Sequence, residues 1–288
     1  MTAILVTGAS GNVGGAVVRA LEAAGADVRR AQRPGGPGGP GSVDFDFTDP
    51  STWAQAFAGI EAMLLVRPPA VGNVKRDLLP AVVAARDAGV RHVVFLSVQG
   101  AEKIKVVPHA SVEKWLCASG MDWTFVRPSF FHQNLTTTHV SDVRDRNEIV
   151  VPAGRGATAF VDADDVGAVA AAALLDPAAH RNTAWTITGP EALTYDGVAQ
   201  ILTAELDRPI RYVRPGVLRY SLHARQNLGL GWGMVAVTSA IYTTARLGLA
   251  AGLSDDVRTV LGRDPIAFAQ FAHRERALWN PRPVIPTL

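Results

Sequence analysis

Four glycines, Gly8, Gly11, Gly14 and Gly15, crowd the stretch "LVTGASGNVGGAVV", where an apolar run gives way to a helical pattern. Glycine loses the most backbone freedom on folding and weakens a helix that it enters, so its use here signals that something must approach the main chain closely. The first amides of a helix have no partner inside it, and the positive end of the helix dipole faces the same turn. A pyrophosphate fits there. The spacing Gly8-x-x-Gly11-x-x-Gly14, preceded by Thr7, is a weak signal by itself. It gains weight from its place between a strand pattern and a helix pattern.

Which dinucleotide such a turn would hold depends on the end of the next strand. An acid there would bind a ribose 2′-hydroxyl, whereas an arginine accommodates a 2′-phosphate. The sequence reads "RAQRPGG", with Arg33 at the strand end and no acid before Asp44. NADPH is therefore the expected cofactor, with NADH less favoured.

Positioning these groups requires alternating strands and helices. "AILVT" has strand character, and Val13, Val17, Ala20, Leu21 and Ala24 fall at helical spacing up to Gly25. "DVRRAQ" supplies a second strand, "RPGGPGGPGS" can only be a loop, and "SVDFDF" reads as a third strand before a short helix capped by Asp49 and begun by Pro50. Strand "EAMLLV", a helix over about 74–88, strand "HVVFLS", a helix around 109–119 and strand "DWTFVRP" follow. Units of this length predict a parallel sheet covered by helices on both faces, a Rossmann-type doubly wound α/β fold.

Beyond Pro128, "NEIVVP" and "TAWTITG" read as strands and "DADDVGAVAAAALLD" and "TYDGVAQILTAEL" as helices, with the last third from Pro215 mostly helical. The expected division is a nucleotide-binding core over 1–150 and C-terminal elements over 151–288 that complete it and cover the substrate.

The composition excludes other classes. A net charge of +2 over 288 residues is too small for an electrostatic nucleic-acid footprint. Cys117 is the single cysteine, so an internal disulfide and a thiolate metal cluster are ruled out. "MTAILVTG" has neither the basic start nor the apolar stretch of a signal peptide, and a cytoplasmic location is expected. The longest membrane-like stretch, "WGMVAVTSAIYTTARLGLAAGL", is interrupted by Thr238, Ser239, Thr243, Thr244 and Arg246, so a buried or cleft-covering amphipathic helix is expected and no membrane partner. His132 and His139 lack a third ligand at metal spacing, and no metal is expected.

The chain resembles the atypical short-chain dehydrogenase/reductases of the NmrA-like type, which include quinone and azo-dye reductases, aromatic-polyketide ketoreductases and redox-sensing regulators. The resemblance rests on "VTGASGNVG", "DFTDP", "HVVFLSVQGA", "HASVEKWLCASGMDWTFVRPSFFHQNL", "FVDADDVGAVAAAAL" and "ITGPEALTYDGVAQILTAEL", in that order and over nearly the whole length. It implies that Gly8, Ser10, Gly11, Asn12, Val13 and Gly14 wrap the pyrophosphate and that Arg33 meets the 2′-phosphate. By the same resemblance Asp46 and Phe47 border the adenine and Val66, Arg67 and Pro68 line the ribose side. Ser97, Val98, Pro128, Ser129 and Phe130 stand beside the nicotinamide.

One departure bears on the chemistry. Short-chain dehydrogenases usually donate a proton from the Tyr of a Tyr-x-x-x-Lys pair, in which the lysine lowers the phenol pKa. Here Tyr195, Tyr212, Tyr220 and Tyr242 are followed four places on by Ala199, Gly216, Ala224 and Arg246. The positions resembling that pair hold His109 and Glu113, which leaves His109 as the candidate general acid. Gln99, His132 and Asn134 are candidate substrate contacts.

A quinone that accepts hydride becomes a phenolate-like anion with a pKa of about 10, for which prompt protonation is unnecessary. An aliphatic ketone would give a far more basic alkoxide. The expected function is thus an NADPH-dependent reductase of a quinone or polycyclic aromatic ketone, working without the usual Tyr/Lys relay. The alternative is a non-catalytic NAD(P) sensor that binds a protein partner. Over about 215–250 two helices joined near "GLGWG" are expected to form a lid that offers a flat aromatic substrate an apolar pocket, with Trp232 at the bend.

Overall fold

The computed structural model describes residues 3–105 and 107–280. The chain forms two compact units. The first comprises Met1–Pro128, Ala163–Ile187 and Asp255–Arg263, and the second Ser129–Asp162, Thr188–Ser254 and Asp264–Leu288.

The first unit is built on a seven-stranded sheet in the order Thr183–Ile187, Asp122–Pro128, His92–Leu96, Ile60–Val66, Ala3–Val6, Val28–Gln32, Ser42–Asp44. Every pairing is parallel. Parallel strands buried on both faces read as continuous apolar runs, which is why "AILV" and "MLLV" show no alternation. On one face Leu5, Met63, Phe95 and Phe125 share a core with Val82, Val112 and Leu116 from the helices Leu79–Asp87 and Pro108–Cys117. The first helix, Asn12–Ala23, packs instead on helix Ala163–Leu175. Their approach is close because small residues meet: a Cβ added at Gly167 would lie 2.4 Å from the Cβ of Ala16. Arg19 and Asp164 clip the pair with an exposed 2.7 Å ion pair.

Three local differences from the sequence have physical causes. The helix expected over 74–88 is two, Val74–Asp77 and Leu79–Asp87, because Pro80 begins a new helix and leaves Leu78 out of helical geometry. The third strand stops at Asp44, since the Asp46 carboxylate turns the chain by accepting from the Thr48 amide and hydroxyl, both at 2.7 Å. The division at 150 is replaced by an interleaved one. Helix Ala163–Leu175 and strand Thr183–Ile187 both return to the first unit, the strand pairing in register with Asp122–Pro128.

The second unit holds a three-stranded sheet, Ala192–Thr194 antiparallel to Ala157–Val161, which runs parallel to Phe130–Phe131. Phe160, Phe268, Phe271 and Trp279 fill its core. Thr194 caps helix Tyr195–Leu206 by accepting from the Gly197 amide at 3.2 Å. Helices Val217–Gln226 and Trp232–Arg246 form the hairpin that the sequence predicted, hinged at "GLGWG". Among the described residues no helix is long and apolar enough to cross a membrane.

The close helix pair in the first unit makes a prediction. Gly167→Ala should lower the unfolding free energy by about 1–3 kcal/mol, the usual effect of overpacking. Gly233→Ala, where an added Cβ meets open space, should be neutral or slightly stabilising in urea unfolding.

Candidate active site

In a parallel sheet whose strand order reverses beside the first strand, ligands bind outside the carboxyl ends of the strands at that reversal. Here the reversal falls at Ala3–Val6 and Ile60–Val66, which Thr7 ties together. Its amide and hydroxyl donate to the Leu64 carbonyl at 3.1 and 2.9 Å, and its oxygen accepts from the Val66 amide at 2.8 Å. Gly8 follows at φ +67°, in the left-handed region, and its carbonyl accepts from the Gly11 amide at 2.9 Å. A Cβ at Gly14 would lie 2.1 Å from that same carbonyl, so only glycine lets the helix begin this close to the strand.

The amide of Gly15 is the first to bond back into the helix, to the Gly11 carbonyl at 2.8 Å. Gly11 caps the helix without a side-chain bond, and no acid occupies the first turn. Gly8, Ser10, Gly11 and Asn12 are exposed beside it, while Val13 and Gly14 are buried. The protein thus leaves a positive helix end without an anion of its own, and these residues fit a pyrophosphate.

The charged groups at the next strand end divide by role. Arg29 donates to the carbonyls of Gln55, Ala56 and Ala58, and Arg30 is paired with Glu22. Arg33 is exposed just past strand Val28–Gln32. The Asp46 carboxyl is held below its ordinary range mainly by its Thr48 hydrogen bonds, with the Arg33 charge helping. Phe47 beside it is buried. Arg33 and Asp46 therefore share one rim at the carboxyl edge of the sheet.

Further along that edge, Val66 packs over Gly8, and the Arg67 guanidinium donates to the carbonyls of Pro68 and Val71 at 3.2 and 2.7 Å. Ser97 is 2% exposed, and its hydroxyl donates to Glu113 at 2.6 Å. Glu113 also accepts both prongs of Arg127 at 2.9 and 2.7 Å. The carboxylate that stands where the resemblance has lysine is a buried member of a bidentate pair and cannot supply a lysine's positive charge. Val98 is half-buried, and the Gln99 amide donates to the Pro128 carbonyl at 2.9 Å. The Glu113–Arg127 pair escaped sequence reasoning, because no motif links a helix residue to a residue on the following strand.

The other candidates lie on the second unit. The buried Ser129 hydroxyl has no hydrogen-bond partner among the described residues, and Phe130 packs near Phe160 and Tyr242. His132, 1% exposed, sits among Phe160, Phe268 and Phe271 with Asp162 3.7 Å from its Nδ1, which makes it a core residue. The Asn134 carbonyl accepts from the His139 amide at 3.0 Å. Trp232 is 61% exposed at the hairpin bend, with the Arg225 guanidinium 6.0 Å from its ring centre. Among the described residues no cluster could hold a metal ion.

His109 stands beside Arg67, whose Nε lies 3.5 Å from its Nε2. Arginine can only donate, so the imidazole proton sits on Nδ1. Burial and the Arg67 charge pull its pKa down to about 4. The imidazolium that general acid catalysis would need is not populated at neutral pH. His92, whose Nε2 is 2.9 Å from the Thr124 hydroxyl, is likewise held to about 4, mainly by burial. Both groups take up a proton near 6.5 when unfolded but near 4 when folded, so their contribution to stability is full above 6.5 and drains as pH falls towards 4. Urea midpoints measured at neutral and mildly acidic pH should show this fall, and His109→Gln should remove part of it.

Comparison with known proteins agrees with this geometry. Residues 1–218 match the NmrA-like family. An NAD(P)H azoreductase of Xenophilus azovorans is 33% identical over 290 residues, covering 96% of this chain and 99% of that protein. Among solved structures, the triphenylmethane reductase of Citrobacter sp. complexed with NADP(H) superposes with a TM-score of 0.82 at 24% identity, over 94% of this chain and 99% of its own. An NADPH-dependent quinone oxidoreductase of Escherichia coli complexed with NADPH does so with a TM-score of 0.79 at 21% identity, over 94% and 99%. These two likenesses show a shared fold, and with the family match and the azoreductase they place the strand, glycine turn and helix described above in a known lineage: the chain belongs to the NmrA-like family.

Proposed function

We propose that this protein is an NADPH-dependent reductase that transfers hydride to a quinone or a polycyclic aromatic ketone. The single observation that carries the proposal is the helix start at Gly11–Gly14, bare of any side-chain cap or acid, with Arg33 exposed at the neighbouring strand end. When bound, the nicotinamide nucleotide supplies the hydride, and the protein's task is to orient it and exclude water. The amides of Asn12, Val13 and Gly14 take the pyrophosphate, and Ser10 closes the turn. Arg33 takes the 2′-phosphate. Asp46 and Phe47 border the adenine, and Val66, Arg67 and Pro68 line the ribose.

Ser97, Val98, Pro128, Ser129 and Phe130 flank the nicotinamide in this reading. Their parts differ, because the Ser97 hydroxyl is already committed to Glu113 whereas the Ser129 hydroxyl is unpaired. Ser97 then contributes shape, and Ser129 a hydrogen bond to a polar group on the ring.

No Tyr-x-x-x-Lys pair is present, and His109 is neutral. Both facts favour an acceptor whose reduced anion is stable in water until solvent protonates it, as a phenolate is. The azo, triphenylmethane and quinone acceptors in the names of the relatives are all conjugated, in keeping with that choice. The hairpin adds apolar surface of the right kind, with Trp232, Met234, Val237 and Ile241 exposed on its second helix.

Two outcomes test the proposal. Arg33→Ala should weaken NADPH about 10- to 100-fold, the worth of hydrogen bonds to a charged group, and leave NADH unchanged. A ratio of the two dissociation constants that stays constant refutes the role of Arg33. In a turnover screen, quinones and hydroxylated aromatic ketones should oxidise NADPH while aliphatic ketones do not. Tight NADPH binding with no turnover of any acceptor would instead favour a non-catalytic sensor.

A further inference from the structure

The second unit contains a buried polar network that the proposed chemistry does not use. Asp142, on helix Val140–Arg146, is fully buried. Its Oδ2 accepts from Nε2 of His223 at 2.9 Å and lies 3.6 Å from Nδ1 of His139. Arg146 approaches its Oδ1 only to 3.5 Å, from a side chain that is 42% exposed. The far nitrogen of His139 meets the Tyr242 hydroxyl at 2.8 Å, and the far nitrogen of His223 accepts from the Asn227 amide at 2.8 Å.

These partners come from different elements. His223 belongs to helix Val217–Gln226 and Tyr242 to helix Trp232–Arg246, the two arms of the hairpin. Asp142 therefore bonds the first arm directly, and His139, in charge contact with the same carboxylate at 3.6 Å, bonds the second. The arms are also tied to each other, since the Tyr220 hydroxyl donates to Thr238 at 2.9 Å. Burial alone would push the Asp142 carboxyl up, but the imidazoles of His139 and His223 beside it, the second hydrogen-bonded to it, hold it below the ordinary range, so it is ionised.

A buried charge is a poor way to gain stability. Well-packed apolar side chains of similar volume often hold a core more firmly, whereas a buried charge that loses a partner is heavily penalised. The best-attested use of such a group is to specify one register. Sliding either arm by a turn would strip Asp142 or His139 of its partner. The hairpin has reason to need this, because its outer face is apolar and little covered: Leu218 and Leu222 on one arm and Met234, Val237 and Ile241 on the other are exposed at helical spacing.

We propose that Asp142, His139, His223 and Tyr242 form a latch that fixes the register of the hairpin and thereby sets affinity for the aromatic acceptor. They are positioning residues and touch no reacting group. The proposal rests on the reading above that the hairpin supplies the acceptor's apolar surface. Two independent measurements separate the failure of one from the failure of the other.

Hydrogen exchange tests the latch. Asp142→Asn, which keeps the shape but not the charge, should speed exchange across 217–246 and leave strand Ala3–Val6 unchanged. Steady-state kinetics with a quinone tests the consequence. The acceptor KM should rise about tenfold, the loss of one charge-assisted hydrogen bond, while kcat and the NADPH Kd stay within about twofold. Tyr242→Phe should give a smaller change of both, since it frees one arm. If Asp142→Asn does not fold, Asn227→Ala at the exposed end of the network replaces it, with the same pattern expected at reduced size. Unchanged exchange in the hairpin overturns the latch whatever the kinetics show. Faster exchange with an unmoved KM overturns its role in acceptor affinity. If no acceptor is turned over at all, the reductase reading fails while exchange still decides the latch. Equal acceleration of exchange in both units marks general destabilisation and also overturns it.

Discussion

The close passage of the Gly14 main chain over the Gly8 carbonyl is the constraint on which the rest of the first unit depends. It brings the start of helix Asn12–Ala23 against the end of the first strand, and Thr7 joins that strand end to Leu64 and Val66 on the neighbouring strand. The helix dipole is thereby aimed at the reversal of strand order. No side chain of the helix satisfies its first amides. A structure that leaves such donors open forgoes capping energy of about 1 kcal/mol, which an anionic ligand can supply in its place.

The same helix carries its constraint across the sheet. Ala16 meets Gly167 with no room for a further carbon, so helix Ala163–Leu175 must return from beyond residue 150 to cover it. Strand Thr183–Ile187 follows and completes the sheet edge. Small residues packed against small residues leave no gap between the two helices, where a gap would forfeit dispersion contacts.

Charge is placed with similar economy. In the first unit the buried Glu113 carboxylate is matched in geometry by Arg127, in a bidentate pair that also takes the Ser97 hydroxyl. His109 is kept neutral by burial and by Arg67. In the second unit the buried carboxylate of Asp142 relies on two imidazoles instead of a guanidinium fork, a looser arrangement that links three helices. The first pattern ties helix Pro108–Cys117 to strand Asp122–Pro128. The second holds a helical hairpin whose outer surface remains apolar.

Local chemistry was legible from residue order alone. The glycine turn, the bare helix start, Arg33 at a strand end, the missing Tyr-x-x-x-Lys pair and the strand DWTFVRP are all properties of neighbouring residues, and the first helix and that strand formed where their periodicity placed them. The hairpin at "GLGWG" was legible for the same reason, since two apolar periodicities broken by glycine have few other solutions. Strands Phe130–Phe131 and Ala157–Val161 were not, because they lie outside the regular alternation of strand and helix and are stabilised by each other across the intervening chain. Nor was the fate of particular side chains. His132 belongs to an aromatic core, the Ser97 hydroxyl to Glu113, and Asp142 to histidines on either side of it in the chain, His223 being 81 residues away. Sequence determined what could bind at the strand ends, because backbone geometry there is local. Only tertiary structure decided which polar groups remained open and which were consumed, because burial and pairing depend on what the rest of the chain brings alongside.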